Sequence, residues 1–192
     1  MNLANRITIA RMIMVPIVML LLLVRIPLFE VYTGGRTISG GELIAAFVFI
    51  IAASTDSLDG YIARKRQLIT NFGKFMDPLA DKLLVSTALI CLVALQKIPA
   101  WIAVIIVARE FAVTGLRAVA STEGQVIAAS GLGKWKTVLQ MVALVEIMIG
   151  DFPFSYLGIP FDVITLYAAA IMTIVSGVDY FVKNKHVLSA RT

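Results

Sequence analysis

The run GGELIAAFVFIIAASTDSLDGYIARKRQLITNFGKFMDPLADKLLVSTALICLVALQ, Gly40 to Gln96, decides how this chain folds. Two apolar stretches, at about residues 40–56 and 75–96, meet in a window over residues 54–83 that holds four aspartates. Four more apolar segments lie outward of it, at about residues 8–24, 99–116, 135–150 and 161–181. In 192 residues, 59% are hydrophobic and only 15% are charged. A soluble globule of this size has too much surface for its volume to bury so much apolar material. Lipid acts as the missing apolar solvent, and roughly 20 residues per crossing leave room for about six helices.

The expected fold is therefore an all-α integral membrane protein, with six transmembrane helices in a single domain over residues 1–192. Met1–Arg11 is expected to form a short interfacial helix on the membrane surface. The first apolar segment reads as a retained crossing, since no small-residue cleavage site precedes Arg25. Most of the charge-free cores are short for a crossing. Each helix is read as continuing past the hydrocarbon, with functional charges on its ends that snorkel to the interface.

Charge sets the orientation. Of the 17 Lys and Arg residues, all but Arg25, Arg36 and Lys97 fall on one side of the expected crossings. That side is assigned to the cytoplasm, with both termini and the aspartate window. The formal net charge of +5 has no aromatic–basic interleaving or recognition motif to point to nucleic acid. In a membrane protein it orients the chain and meets anionic lipid. The single Cys91 reads as a buried thiol, and no Cys/His zinc pattern exists.

The chemistry lies between residues 54 and 83. Asp56 and Asp59 are three apart and share a helix face. Asp77 and Asp81, four apart at the start of the next helix, do the same. Two adjacent helix ends would converge four carboxylates, whose mutual repulsion calls for divalent metal. Oxygen-only ligands suit Mg²⁺, with Mn²⁺ as a substitute. Four aspartates are enough for two ions about 3.5–4 Å apart. Gly60, Ala63 and Gly73 are small residues where a bulky ligand must come close, and Arg64 is a natural partner for phosphate.

The pattern Asp56-x-x-Asp59-Gly60-x-x-Ala63-Arg64, followed after eight residues by Gly73-x-x-x-Asp77-x-x-x-Asp81, resembles the full motif of the CDP-alcohol phosphatidyltransferases. The resemblance extends over essentially the whole chain. It implies a six-helix membrane enzyme that moves a phosphatidyl or related group from a CDP-linked donor to an alcohol and releases CMP. It implies that Asp56, Asp59 and Asp77 bind metal, and that Asp81 is both ligand and general base. Gly60, Ala63, Arg64 and Gly73 would hold the cytidine diphosphate. It also suggests a homodimer.

Three local patterns resemble the members that use CDP-diacylglycerol and glycerol 3-phosphate. They are Asn2-Leu-Ala-Asn5-x-x-Thr8-x-x-Arg11, Ala108-Arg109-Glu110 with Thr114-Gly115-Leu116-Arg117, and Gly133-Lys134-x-Lys136-Thr137. Ala4 stands where many members have proline. The last two patterns also form a basic constellation in their own right. Arg109, Arg117, Lys134 and Lys136 beside the carboxylates suit an anionic acceptor such as glycerol 3-phosphate, with Glu110 tethering one of the cations. Gly115 is expected to end or bend the helix between the arginines. Phosphatidylglycerol or an inositol phosphate remains open as acceptor, and a divalent-metal transporter is a remote alternative.

Overall fold

The computed structural model describes residues 3–24, 29–33, 35–66, 71–122, 127 and 130–185. Within these, the side chains of residues 3–7, 56–66, 71–75, 77, 78 and 122 lie outside the described set. Six helices dominate: α1 (Leu3–Leu23), α2 (Gly40–Arg66), α3 (Asn71–Ala94), α4 (Ala100–Thr122), α5 (Gly131–Met148) and α6 (Phe161–Lys183). All six expected apolar segments are thus helical, and most of the helices run on into the flanking polar sequence. α2 gains ten residues beyond its expected end at residue 56 and so carries Asp56 and Asp59 within it.

Local chemistry explains most of the boundaries. α2 opens on a reciprocal cap in which Ser39 Oγ accepts the Glu42 N–H (3.2 Å) and Glu42 Oε2 accepts the Ser39 N–H (3.0 Å). α3 ends where Gln96 takes a left-handed conformation, φ 59°. The Gln96 and Lys97 N–H groups then bond back to Val93 and Leu92 carbonyls, closing the last turn. Pro99 follows and precedes α4. Ser130 caps α5 by accepting the Gly133 N–H at 3.1 Å. α6 is capped from a distance: the Asp151 carboxylate accepts the N–H groups of Phe161 (3.2 Å) and Asp162 (3.0 Å).

The expected interfacial helix at Met1–Arg11 is not a separate element. Residues 3–11 are the first turns of α1, which runs unbroken to Leu23. No glycine or proline interrupts the sequence from Leu3 to Val15, so helical hydrogen bonding has no reason to stop there. Burial holds the end of this stretch inside the bundle. Arg11 is 2% exposed, and its Nε donates to the Ala52 carbonyl of α2 at 3.2 Å.

A second departure, from the all-α expectation, is a small antiparallel hairpin, β1 (Glu30–Thr33) with β2 (Arg36–Ser39). Strands of four residues are too short to leave a clear sequence period. Ile38 is buried on it, Arg36 pairs with Asp162 of α6, and Gly150 lies so close that an added Cβ would collide with the Ile38 side chain.

The core joins all six helices through Val18, Phe49, Leu84, Leu89, Ile102, Ile106, Leu144 and Leu166, with Cys91 buried among them. α1 packs along α2 and α3, while α6 packs most extensively on α5 and also on α4. The outer surface is apolar as well. Ile13, Leu20, Phe47, Ile90, Val104, Phe111, Val138, Ile171 and Val178 are all exposed. Among the described residues, α6 alone is long and apolar enough by composition to cross a membrane, and Thr8–Leu23 and Gly40–Thr55 are shorter apolar stretches.

Candidate active site

The aspartate motif occupies the end of α2 and the start of α3, with only residues 67–70 between the two helices. The side chains of Asp56, Asp59, Gly60, Ala63, Arg64, Gly73 and Asp77 lie outside the described residues. Asp81 lies inside them. Its carboxylate is partly buried and lines a cavity of about 430 Å³ formed by α3, α4, α5 and α6.

That cavity unites Asp81 with the basic constellation. Lys82 comes from α3; Arg109, Glu110, Thr114 and Arg117 from α4; Ser130, Gly133, Lys134, Lys136 and Thr137 from α5; and Tyr180 from α6. All four cations expected at the acceptor pocket therefore line one cavity with Asp81. α4 continues through Gly115 to Thr122, so Gly115 does not end the helix. Two arginines eight residues apart reach the same cavity because α5 and α6 close it from the other sides.

The four cations are not equivalent. Lys136 is almost wholly buried, with its side chain 4% exposed, and pairs with Glu110 Oε1. Arg109 is also largely buried. Its Nη1 lies 3.2 Å from the same Glu110 oxygen, and its Nη2 donates to Ser176 Oγ of α6 at 3.1 Å. Its stem lies against Gly177, where an added Cβ would come 3.1 Å from Arg109 Cγ. Glu110 thus tethers two cations into the wall. Arg117 and Lys134 are exposed, and Arg117 Nε donates to the Tyr180 hydroxyl at 2.8 Å. The Tyr180 ring centroid lies 5.3 Å from the Arg117 guanidinium carbon.

Ser176, Gly177 and Tyr180 escaped the sequence reading. They sit in a helix that reads as a plain apolar crossing. The available signal was a serine and a tyrosine four residues apart, which share one helix face. The sequence places Arg11 in the N-terminal pattern and among the orienting charges but gives no sign of its partner. Its bond to Ala52 places it against α2 one turn before Asp56.

An all-helical bundle with a carboxylate and a surplus of cations around one cavity suits phosphorylated ligands. The CDP-alcohol phosphatidyltransferase family model matches residues 1–175, and the chain belongs to that family. It is 48% identical over 183 residues to the CDP-diacylglycerol--glycerol-3-phosphate 3-phosphatidyltransferase of Bacillus subtilis (strain 168), an alignment covering 95% of each chain. A protein of the same name from Rickettsia bellii (strain RML369-C) is 38% identical over 182 residues, covering 94% of this chain and 93% of that one. A probable phosphatidylglycerophosphate synthase of Mycobacterium tuberculosis (strain CDC 1551 / Oshkosh) is 40% identical over 182 residues, covering 93% and 79%.

Proposed function

We propose that this protein transfers the phosphatidyl group of CDP-diacylglycerol to sn-glycerol 3-phosphate, giving phosphatidylglycerol phosphate and CMP. The observation that carries the acceptor assignment is the shared cavity: Asp81 opens onto the same space as Arg117 and Lys134. A general base must reach the hydroxyl it deprotonates, and an anionic acceptor must find cations a few ångströms from that point. The similarity to proteins named for these two substrates points the same way.

In this reading Arg117 and Lys134 take the phosphate of the acceptor. Arg109 and Lys136, tied to Glu110, contribute their charge from the wall. Asp81 receives the proton of the C1 hydroxyl as its oxygen attacks the phosphorus nearer the diacylglycerol. The bond to CMP breaks and CMP leaves. Gly60, Ala63, Arg64 and Gly73 would hold the cytidine diphosphate.

Asp56, Asp59, Asp77 and Asp81 would hold divalent metal, two Mg²⁺ or Mn²⁺ ions. The donor set fits: it is all carboxylate oxygen, and it is carried on two packed helices only four residues apart in sequence. When bound there, the metal supplies charge neutralisation at the pyrophosphate and at the leaving phosphate.

The same reading has all six helices crossing the membrane, with both termini and the site on the cytoplasmic side, and the protein acting as a homodimer. Helices of 18–27 residues rise about 27–40 Å, against a hydrocarbon thickness of about 30 Å. The exposed apolar residues on the bundle's outer faces supply a lipid-facing surface. The test is an acceptor panel: purified protein, CDP-diacylglycerol, Mg²⁺, and glycerol 3-phosphate, glycerol, phosphatidylglycerol or an inositol phosphate. CMP release is expected to be fastest with glycerol 3-phosphate. CMP release only with another acceptor would overturn the assignment.

A further inference from the structure

We propose that Tyr180 of α6 is a positioning residue that sets the selectivity of the acceptor pocket through Arg117. The inference rests on the acceptor reading above and deepens it. Arg117 is exposed at the cavity, and a free arginine there would sample many rotamers. Tyr180 is itself 2% exposed, buried beside Val113, Leu116 and Ala120, so its hydroxyl is a fixed point. Arg117 Nε spends its hydrogen on that hydroxyl at 2.8 Å, and the guanidinium lies over the ring at 5.3 Å. Among the described residues no other group bonds Arg117. Its two terminal nitrogens, the pair suited to two oxygens of one phosphate, stay available at a cavity that both residues line.

α6 repeats the device one turn earlier. Ser176 accepts Arg109 Nη2, and Gly177 leaves room for the Arg109 stem. One face of α6 therefore holds both arginines of α4, one in the wall and one at the opening. A phosphomonoester presents terminal oxygens that a fork oriented in this way can pair with. An uncharged alcohol has none, so it gains nothing from the orientation.

The experiment compares wild type, Tyr180→Phe, Arg117→Ala and the double variant, with acceptor and donor varied independently and CMP release read. Tyr180→Phe keeps the ring and removes only the hydroxyl. The KM for glycerol 3-phosphate should rise about 3- to 10-fold, with the KM for CDP-diacylglycerol and kcat held. The preference for glycerol 3-phosphate over glycerol should fall by the same factor. In the Arg117→Ala background, Tyr180→Phe should change nothing further, because the tyrosine acts through the arginine. Arg117→Lys, which keeps the charge but lacks the Nε donor, should reproduce the Tyr180→Phe phenotype. It serves as the readout if Tyr180→Phe is poorly folded. An unchanged acceptor KM in Tyr180→Phe and Arg117→Lys overturns the proposal, as does full additivity with Arg117→Ala. A wild-type protein that ignores glycerol 3-phosphate overturns the acceptor reading instead.

Discussion

Glu110→Gln is the most informative single substitution at this site. In the folded chain one Glu110 oxygen faces both the Lys136 ammonium and Arg109 Nη1. The Lys136 side chain is 4% exposed and that of Glu110 20%, so neither charge falls back on bulk water. Removing one partner of a buried ion pair strands the other, at a cost of about 3–5 kcal/mol. For a chain of this length that corresponds to a loss of about 6–20 °C in Tm. Thermal unfolding of purified protein in one detergent measures it. The same principle predicts rescue. Glu110→Leu with Lys136→Met replaces the pair by apolar groups of similar size and should recover most of the lost stability. Arg109 keeps its bond to Ser176 in that variant. A Glu110→Gln protein that melts with wild type would refute the claim that this carboxylate holds the wall together. A double variant no more stable than the single would refute the claim that a stranded lysine is the cause.

The remaining predictions concern turnover. Arg117→Ala should raise the KM for glycerol 3-phosphate about 10- to 150-fold, one charge-assisted contact, and leave the KM for CDP-diacylglycerol unchanged. Arg109→Ala should instead lower Tm, because its guanidinium is engaged by Glu110 and Ser176; equal kinetic effects from both arginines would contradict the division between wall and opening. Asp81→Asn should reduce kcat by about 10²–10⁴-fold while CDP-diacylglycerol binding persists, and wild-type turnover would remove Asp81 as the base. Asp56→Asn and Asp77→Asn should abolish CMP release in folded protein and weaken Mn²⁺ binding measured without substrate. Full activity of the wild type in excess chelator would end the metal reading.

Much of this protein is legible along the chain because its determinants are local. Apolar runs bounded by a Ser39–Glu42 cap, a Pro99 start and a Ser130 cap become helices through contacts three or four residues apart, whatever packs around them. The aspartate spacing is of the same kind, since helix geometry alone aligns Asp56 with Asp59 and Asp77 with Asp81. What the chain could not show was how its cations divide. Arg109 and Arg117 are alike in sequence, and both lie on α4. Besides the Glu110 beside Arg109, the packing of α6 distinguishes them, through Ser176 and Tyr180, which lie 67 and 63 residues away. Lys136 likewise becomes part of the wall because Glu110 stands opposite it, 26 residues away. The burial of Arg11 is a tertiary outcome too, since a buried arginine needs a carbonyl acceptor and Ala52 on α2 supplies it. Helix periodicity decides which residues share a face. The cost of burying charge, which depends on neighbours distant in sequence, decides which of them are left free to meet a substrate.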